Sequence, residues 1–212
     1  MTAQKQWQHM LTTMPLIAIL RGLKPDEAID VASALKDAGF LCLEIPLNSP
    51  DPFTSIERLT KTFGDELLIG TGTVLNEADV AASHKAGAQF IVSPNVNADV
   101  IRKTKSLGML SLPGFATPSE AFAALGAGAD ALKLFPAEAA SPAVLRAMKA
   151  VLPTNYPVFP VGGISVDNMA DYHAAGAAGF GIGSSVYKSG IAAGEVGKRA
   201  ASFVQAWCNL RR

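Results

Sequence analysis

The sequence predicts an α/β protein: a single (β/α)8 TIM barrel across residues 1–212 that begins with an N-terminal helix. Three observations predict it. Short apolar runs recur roughly every 20–30 residues, each followed by turn residues and then an amphipathic, alanine-rich segment. Glycine falls at the same point of this repeat in Ala38-Gly39, Ala86-Gly87, Leu107-Gly108, Ala127-Gly128 and Ala175-Gly176, where a helix ends in a left-handed residue before the next strand. No linker, composition shift or low-complexity segment divides the 212 residues, and barrels of about 200–250 residues close as one domain. An open doubly wound sheet shares this periodicity and stands as the alternative.

Taken in order, the strands are expected at Leu16–Leu20, Phe40–Ile45, Leu67–Gly70, Phe90–Ser93, Met109–Leu112, Ala131–Phe135, Val158–Val161 and Gly179–Ile182. Between them the amphipathic segments predict helices over Asp26–Ala38, Pro52–Phe63, Glu77–Ala86, Ala98–Leu107, Pro118–Ala127, Pro142–Val151 and Val166–Ala175, with a longer one from Ile191 to Trp207. Thr117-Pro118-Ser119-Glu120 combines a capping box with proline at the first helical position. Asn76 and Ser165 read as N-caps of their helices.

Composition narrows the function classes. With 49% hydrophobic and 17% charged residues the chain can bury a large core. Eighteen basic residues balance eighteen acidic ones, so nothing marks a surface for nucleic acid or an anionic membrane, and a small molecule is the expected partner. Cys42 and Cys208 lack the spacing of a zinc site, a redox pair or a disulfide framework, and read as free thiols of a reducing compartment. The polar stretch from Met1 to Met14 has no apolar core for a signal peptide or a membrane span, which places the protein in the cytoplasm. No metal-ligand cluster appears, and His9, His84 and His173 fall away from strand ends.

Active sites of such barrels lie at the C-terminal ends of the strands. Lys133 stands between Leu132 and Leu134 in a run that otherwise reads as a buried strand. Burial disfavours the ammonium form and leaves an amine able to attack a ketone, whereas a lysine snorkelling to solvent is the bland alternative. Glu44 ends another apolar run just before Pro46, so its carboxylate should enter the mouth and move protons for imine chemistry; an ion pair with Lys133 or Arg21 is the structural alternative. Gly162-Gly163 after the seventh expected strand and Gly183-Ser184 after the eighth occupy the usual phosphate site of the fold, where glycine lets backbone N–H groups approach an anion. Arg21, after the first strand, offers a planar fork for a substrate carboxylate, or a surface ion pair.

Together Glu44-Ile45-Pro46-Leu47-Asn48-Ser49-Pro50, Gly70-Thr71-Gly72-Thr73-Val74-Leu75, Ser93-Pro94-Asn95, Leu132-Lys133-Leu134-Phe135-Pro136-Ala137-Glu138 and Val161-Gly162-Gly163-Ile164 resemble the 2-keto-3-deoxy-6-phosphogluconate/galactonate aldolase family over essentially the whole chain. The resemblance implies a class I aldolase, a lyase without metal or cofactor, usually a homotrimer, that releases pyruvate and D-glyceraldehyde 3-phosphate from a phosphorylated keto-deoxy sugar acid. It implies Lys133 as the Schiff-base lysine, Glu44 as the general acid/base, Thr73 as a residue holding the pyruvate carboxylate, Gly162, Gly163 and Ser184 as phosphate-binding positions, and Phe135 and Pro94 as the lining around the imine.

Asn48 and Val161 stand where the gluconate enzymes generally have arginine and threonine, so the sequence is similar to the branch acting on the galactonate epimer, as in D-galactonate catabolism. Arg21 resembles that branch's replacement for the missing arginine, and Val161 changes which C4 hydroxyl orientation the pocket can satisfy. Pro160 before Val161 departs from the pattern. The competing readings are the gluconate epimer or a 4-hydroxy-2-oxoglutarate-type substrate, a phosphosugar isomerase or epimerase, and a barrel that binds phosphosugar without turnover.

Overall fold

Thr2 opens the described fold by accepting a hydrogen bond from the N–H of Lys5, which caps α1 (Ala3–Thr13), whose inner face carries Gln6, Trp7 and Met10. The structure, a computed structural model, describes residues 2–211; Met1 and Arg212, the ends of the expected 1–212 domain, lie outside the described residues. From there strands and helices alternate through β1 (Leu16–Ile19), α2 (Ala28–Ala38), β2 (Cys42–Pro46), α3 (Pro52–Phe63), β3 (Leu68–Gly72), α4 (Glu77–Lys85), β4 (Phe90–Val92), α5 (Ala98–Ser106) and β5 (Leu110–Leu112). The second half runs through β6 (Gly114–Phe115), α6 (Pro118–Gly126), β7 (Leu132–Leu134), a 3₁₀ turn at Ala137–Ala139, α7 (Pro142–Lys149), β8 (Val158–Pro160), α8 (Met169–Ala174), β9 (Phe180–Ile182) and α9 (Ala193–Leu210).

The punctuation read from the sequence holds at most positions. Gly39, Gly87, Gly108, Gly128 and Gly176 all have positive φ, from 75° to 108°, the left-handed ending expected after each helix. Asn76 accepts from the N–H of Asp79, and Thr117 and Glu120 close the capping box. Ser165 is a correction: α8 begins only at Met169, and Ser165 instead donates its N–H to Oδ1 of Asn168, because a turn intervenes before the helix.

Among the described residues all strand pairs are parallel, but nine strands stand where eight were expected, in a six-stranded sheet ordered β5-β4-β3-β2-β1-β9 and a three-stranded sheet ordered β6-β7-β8. Two prolines explain the interruptions. Pro113 separates β5 from β6; its carbonyl accepts from Lys133, but it has no N–H to continue the ladder toward β7. At the other seam Val158 accepts from Ala178 on the β9 side, and Val161 donates to Leu134 on the β7 side. By parity residue 160 faces β9, where proline has no donor, and β8 meets β9 only through the bridge Val161↔Gly181.

Strand alternation turns neighbouring residues toward different clusters, Ile91 of β4 joining one with Val74, Val80, Val100 and Met109. Leu16, Ala18, Leu43, Ile45, Ile69, Leu132, Leu134 and Val158 pack against the helices. Ile17, Cys42, Leu68, Phe90, Val92, Leu110, Leu112, Ala131 and Phe159 face a second cluster that Trp7 and Met10 of α1 join, the Trp7 and Phe159 rings lying 5.8 Å apart. The N-terminal helix therefore closes one end of this inner cluster, and any ligand must approach from the other. No helix among the described residues is long and apolar enough to cross a membrane.

Candidate active site

One step further along the inner face, the apolar cluster gives way to two charged groups. Glu44 follows Cys42 by two residues on β2, and Lys133 follows Ala131 by two on β7, so both point inward by strand alternation. Only 2% of Glu44 and 7% of Lys133 are exposed, which removes the snorkelling alternative for the lysine. Both line a void of about 10 Å³ with Ile17, Ile19, Val92, Leu112, Phe159, Val161 and Gly181. The Lys133 N–H donates to the Pro113 carbonyl at 2.9 Å, and its ammonium lies 4.6 Å from the centre of the Phe135 ring.

The electrostatics drive both groups toward their neutral forms. Burial raises the Glu44 carboxyl above its ordinary range, opposed by the charges of Lys133 and Arg21. Burial likewise lowers Lys133, opposed by Glu44 and reinforced by Arg21. Oε2 of Glu44 has no hydrogen-bond partner among the described residues, an arrangement that costs stability and leaves an acceptor unsatisfied. An amine and a carboxyl group each pushed toward its neutral form can attack a ketone and protonate its departing oxygen.

Gly72 is shaped around this carboxylate, since a Cβ there would overlap Oε2 of Glu44. Gly72→Ala is expected to fold, because the displaced atoms end a side chain, but to lose at least about tenfold in kcat by moving the Glu44 carboxyl group. Thermal melting alongside turnover checks this; a loss of Tm with kcat preserved in the folded fraction would contradict it. Thr73, the next residue, holds φ at 59°, a left-handed conformation that a β-branched side chain adopts only under strain of about 1–3 kcal/mol.

Above the void opens a mouth cavity of about 410 Å³ that brings together the predicted residues Arg21, Phe135, Val161, Gly162, Gly163, Gly183 and Ser184. Ile19, Val161 and Gly181 line both spaces. Gly162 and Gly163 have φ of 107° and 64°, two successive left-handed residues that glycine alone adopts freely. Ser185 donates its hydroxyl to the Ile164 carbonyl at 2.8 Å and ties the loop after β9 to the loop after β8. Of the predicted site residues, Thr73 and Pro94 line neither cavity. Pro94 instead presses its carbonyl against Gly114, where any Cβ would strike it.

Three neighbours escaped the sequence reading. Ser49 accepts from the Gly22 N–H at 3.0 Å and so holds the segment that carries Arg21. Lys188 lines the mouth on the β9 side; a cation four residues past Ser184 was its only sequence signal. Glu138 lines the mouth beside the Gly162–Gly163 loop, and it closes a motif already singled out. Among the described residues no group of three or more His, Cys, Asp and Glu is placed to hold a metal ion.

With this geometry in hand, comparison with known proteins is specific. The family model for KDPG and KHG aldolase matches residues 8–200. The 2-dehydro-3-deoxy-6-phosphogalactonate aldolase of Escherichia coli (strain K12) is 48% identical over 202 residues, 95% of this chain and 97% of that protein. A solved native KDPGal structure superposes with a TM-score of 0.92 at 47% identity, covering 93% of this chain and 96% of its own. KDPG aldolase from Legionella pneumophila, solved with pyruvate captured at low pH as a covalent carbinolamine intermediate, superposes at 0.82 with 28% identity, covering 92% and 96%.

Proposed function

Since the chain belongs to the KDPG and KHG aldolase family, we propose that it cleaves 2-dehydro-3-deoxy-6-phospho-D-galactonate to pyruvate and D-glyceraldehyde 3-phosphate through an imine on Lys133. The observation that carries this reading is the buried Lys133 and Glu44 on one void beneath a mouth bounded by two glycine loops. The Lys133 amine adds to the C2 ketone, and the Glu44 carboxylic acid protonates the hydroxyl that leaves as water, giving the iminium and a Glu44 carboxylate. That carboxylate then takes the C4 hydroxyl proton while the C3–C4 bond breaks; its electron pair becomes the C2–C3 double bond of an enamine, and C4 becomes the aldehyde. Protonation at C3 and hydrolysis of the pyruvate imine return the amine.

Arg21, and Thr73 at the rim of β3, hold the substrate carboxylate in this reading, Phe135 and Pro94 flank the imine, and Gly162, Gly163, Gly183 and Ser184 take the phosphate. Consecutive sheets, with β6 following β5 across Pro113 and Val161 bridging to Gly181, support one closed (β/α)8 barrel. The resemblance supports a cytoplasmic homotrimer serving D-galactonate catabolism.

In this reading Val161, which lines both the void and the mouth, sets the epimer preference by its contact with C4 of the substrate. Relative kcat/KM on the pure epimers is expected to favour galactonate by at least about tenfold, and Val161→Thr, by adding a hydroxyl at that point, to narrow the ratio. Equal rates, or a preference for 4-hydroxy-2-oxoglutarate over both phosphorylated acids, would refute the substrate assignment while leaving the imine chemistry standing.

A further inference from the structure

The Gly162–Gly163 loop carries a carboxylate of its own. A Cβ at Gly162 would overlap Oε2 of Glu138, and one at Gly163 would lie 2.7 Å from its Cγ, so this side chain lies flat on the backbone that the phosphate reading needs. The backbone beneath Glu138 is pinned: Ala137 donates its N–H to the Val161 carbonyl at 2.8 Å, and the Tyr172 hydroxyl donates to the carbonyls of Ala137 and Ala140 at 2.9 and 3.1 Å. The side chain is not pinned. It is exposed, and among the described residues its carboxylate accepts no hydrogen bond. Glu138 also lines a second cavity of about 450 Å³ behind the loop, with Ser141, Asn168 and Tyr172, so the side chain has space to withdraw into.

We propose that Glu138 is a specificity-determining residue, a carboxylate covering the Gly162–Gly163 backbone that a ligand's anionic group must displace toward the second cavity. The inference rests on the reading of this loop as the phosphate site. Like charges at contact range repel, so every anionic ligand at this loop bears the cost of moving Glu138. A phosphate dianion, drawn by Lys188 on the same mouth, displaces it. A single carboxylate at the same end of the substrate, with about half the charge, competes poorly. Glu138 thereby selects phosphorylated keto acids over dicarboxylic ones such as 4-hydroxy-2-oxoglutarate.

The test is competitive inhibition by inorganic phosphate in the full-length enzyme and in Glu138→Gln, which keeps the shape and removes the charge. Phosphate is expected to inhibit Glu138→Gln roughly three- to tenfold more tightly, the size of one like charge removed at contact range in a solvent-screened mouth. The kcat/KM for 4-hydroxy-2-oxoglutarate should rise relative to that for the phosphorylated acid. Glu138→Asp, which keeps the charge but shortens its reach, should fall between. Exchange of pyruvate methyl protons with solvent reports Lys133 and Glu44 without phosphate, and an unchanged exchange rate shows that the loop has not simply collapsed. Unchanged or weaker phosphate inhibition in Glu138→Gln, with exchange intact, overturns the proposal and leaves the phosphate reading in place. Absence of phosphate inhibition in both proteins overturns the phosphate reading and this inference with it.

Discussion

Lys133→Ala is expected to lose aldol cleavage by on the order of 10⁴-fold or more, because no other described group in the void can form the covalent intermediate. The fold should survive. Lys133 sits in a three-residue strand whose ladder bonds are backbone bonds, to Pro113 and through Leu134 to Val161, and an alanine side chain leaves them intact. Its ammonium is disfavoured by burial, so removing it also removes a desolvated group. Glu44 would lose the larger of the two charge effects that oppose its upward shift, and its carboxyl should move further up. The measurement is reduction with borohydride in the presence of pyruvate, followed by peptide mass spectrometry. In the native protein the pyruvate-derived mass belongs on the peptide containing Lys133, and in Lys133→Ala it should vanish together with turnover. An adduct on another lysine, or a variant that still turns over within a hundredfold of the native rate, would remove Lys133 from the mechanism.

The candidate site was legible because its charges contradict their surroundings. A lysine between Leu132 and Leu134, and a glutamate in the middle of Cys42–Pro46, are charges inside apolar runs, and strand alternation alone turns both inward. The repeat of strand, helix and glycine was legible for the same reason: each glycine answers a local backbone demand, and all five expected at helix ends have positive φ. What could not be read depends on contacts distant in sequence. The division of the sheet at Pro113 and Pro160 follows from which neighbour each proline faces, which no run of residues displays; Pro160 stood out only as a departure from a pattern. Ser165 has the composition of an N-cap but is captured by Asn168, so the helix starts four residues later. The strain at Thr73, the grip of Ser49 on the Arg21 segment and the seat of Glu138 on Gly162 arise only when separate loops meet at the strand ends.

Glu44→Gln is the second large effect, and it separates acid/base chemistry from mere positioning. The amide keeps the volume and can still donate a hydrogen bond, but it cannot release a proton to the departing hydroxyl or accept one from the C4 hydroxyl; kcat should fall by about 10²–10⁴-fold. The charge of Glu44 now opposes the burial that lowers Lys133. With the carboxylate gone, burial and Arg21 act unopposed, so Lys133 should lose its proton at a lower pH than in the native enzyme. The free amine exists above that pH, and the pH dependence of Lys133 acylation by a small amine-directed reagent should therefore shift toward acid. The variant would hold a more available nucleophile and yet be a far slower enzyme. A purely structural glutamate predicts the reverse pairing, with Lys133 reactivity disturbed through misfolding and kcat falling only in proportion to the unfolded fraction. Retention of kcat within tenfold, or an alkaline shift of Lys133 reactivity, would assign the proton transfers to another group.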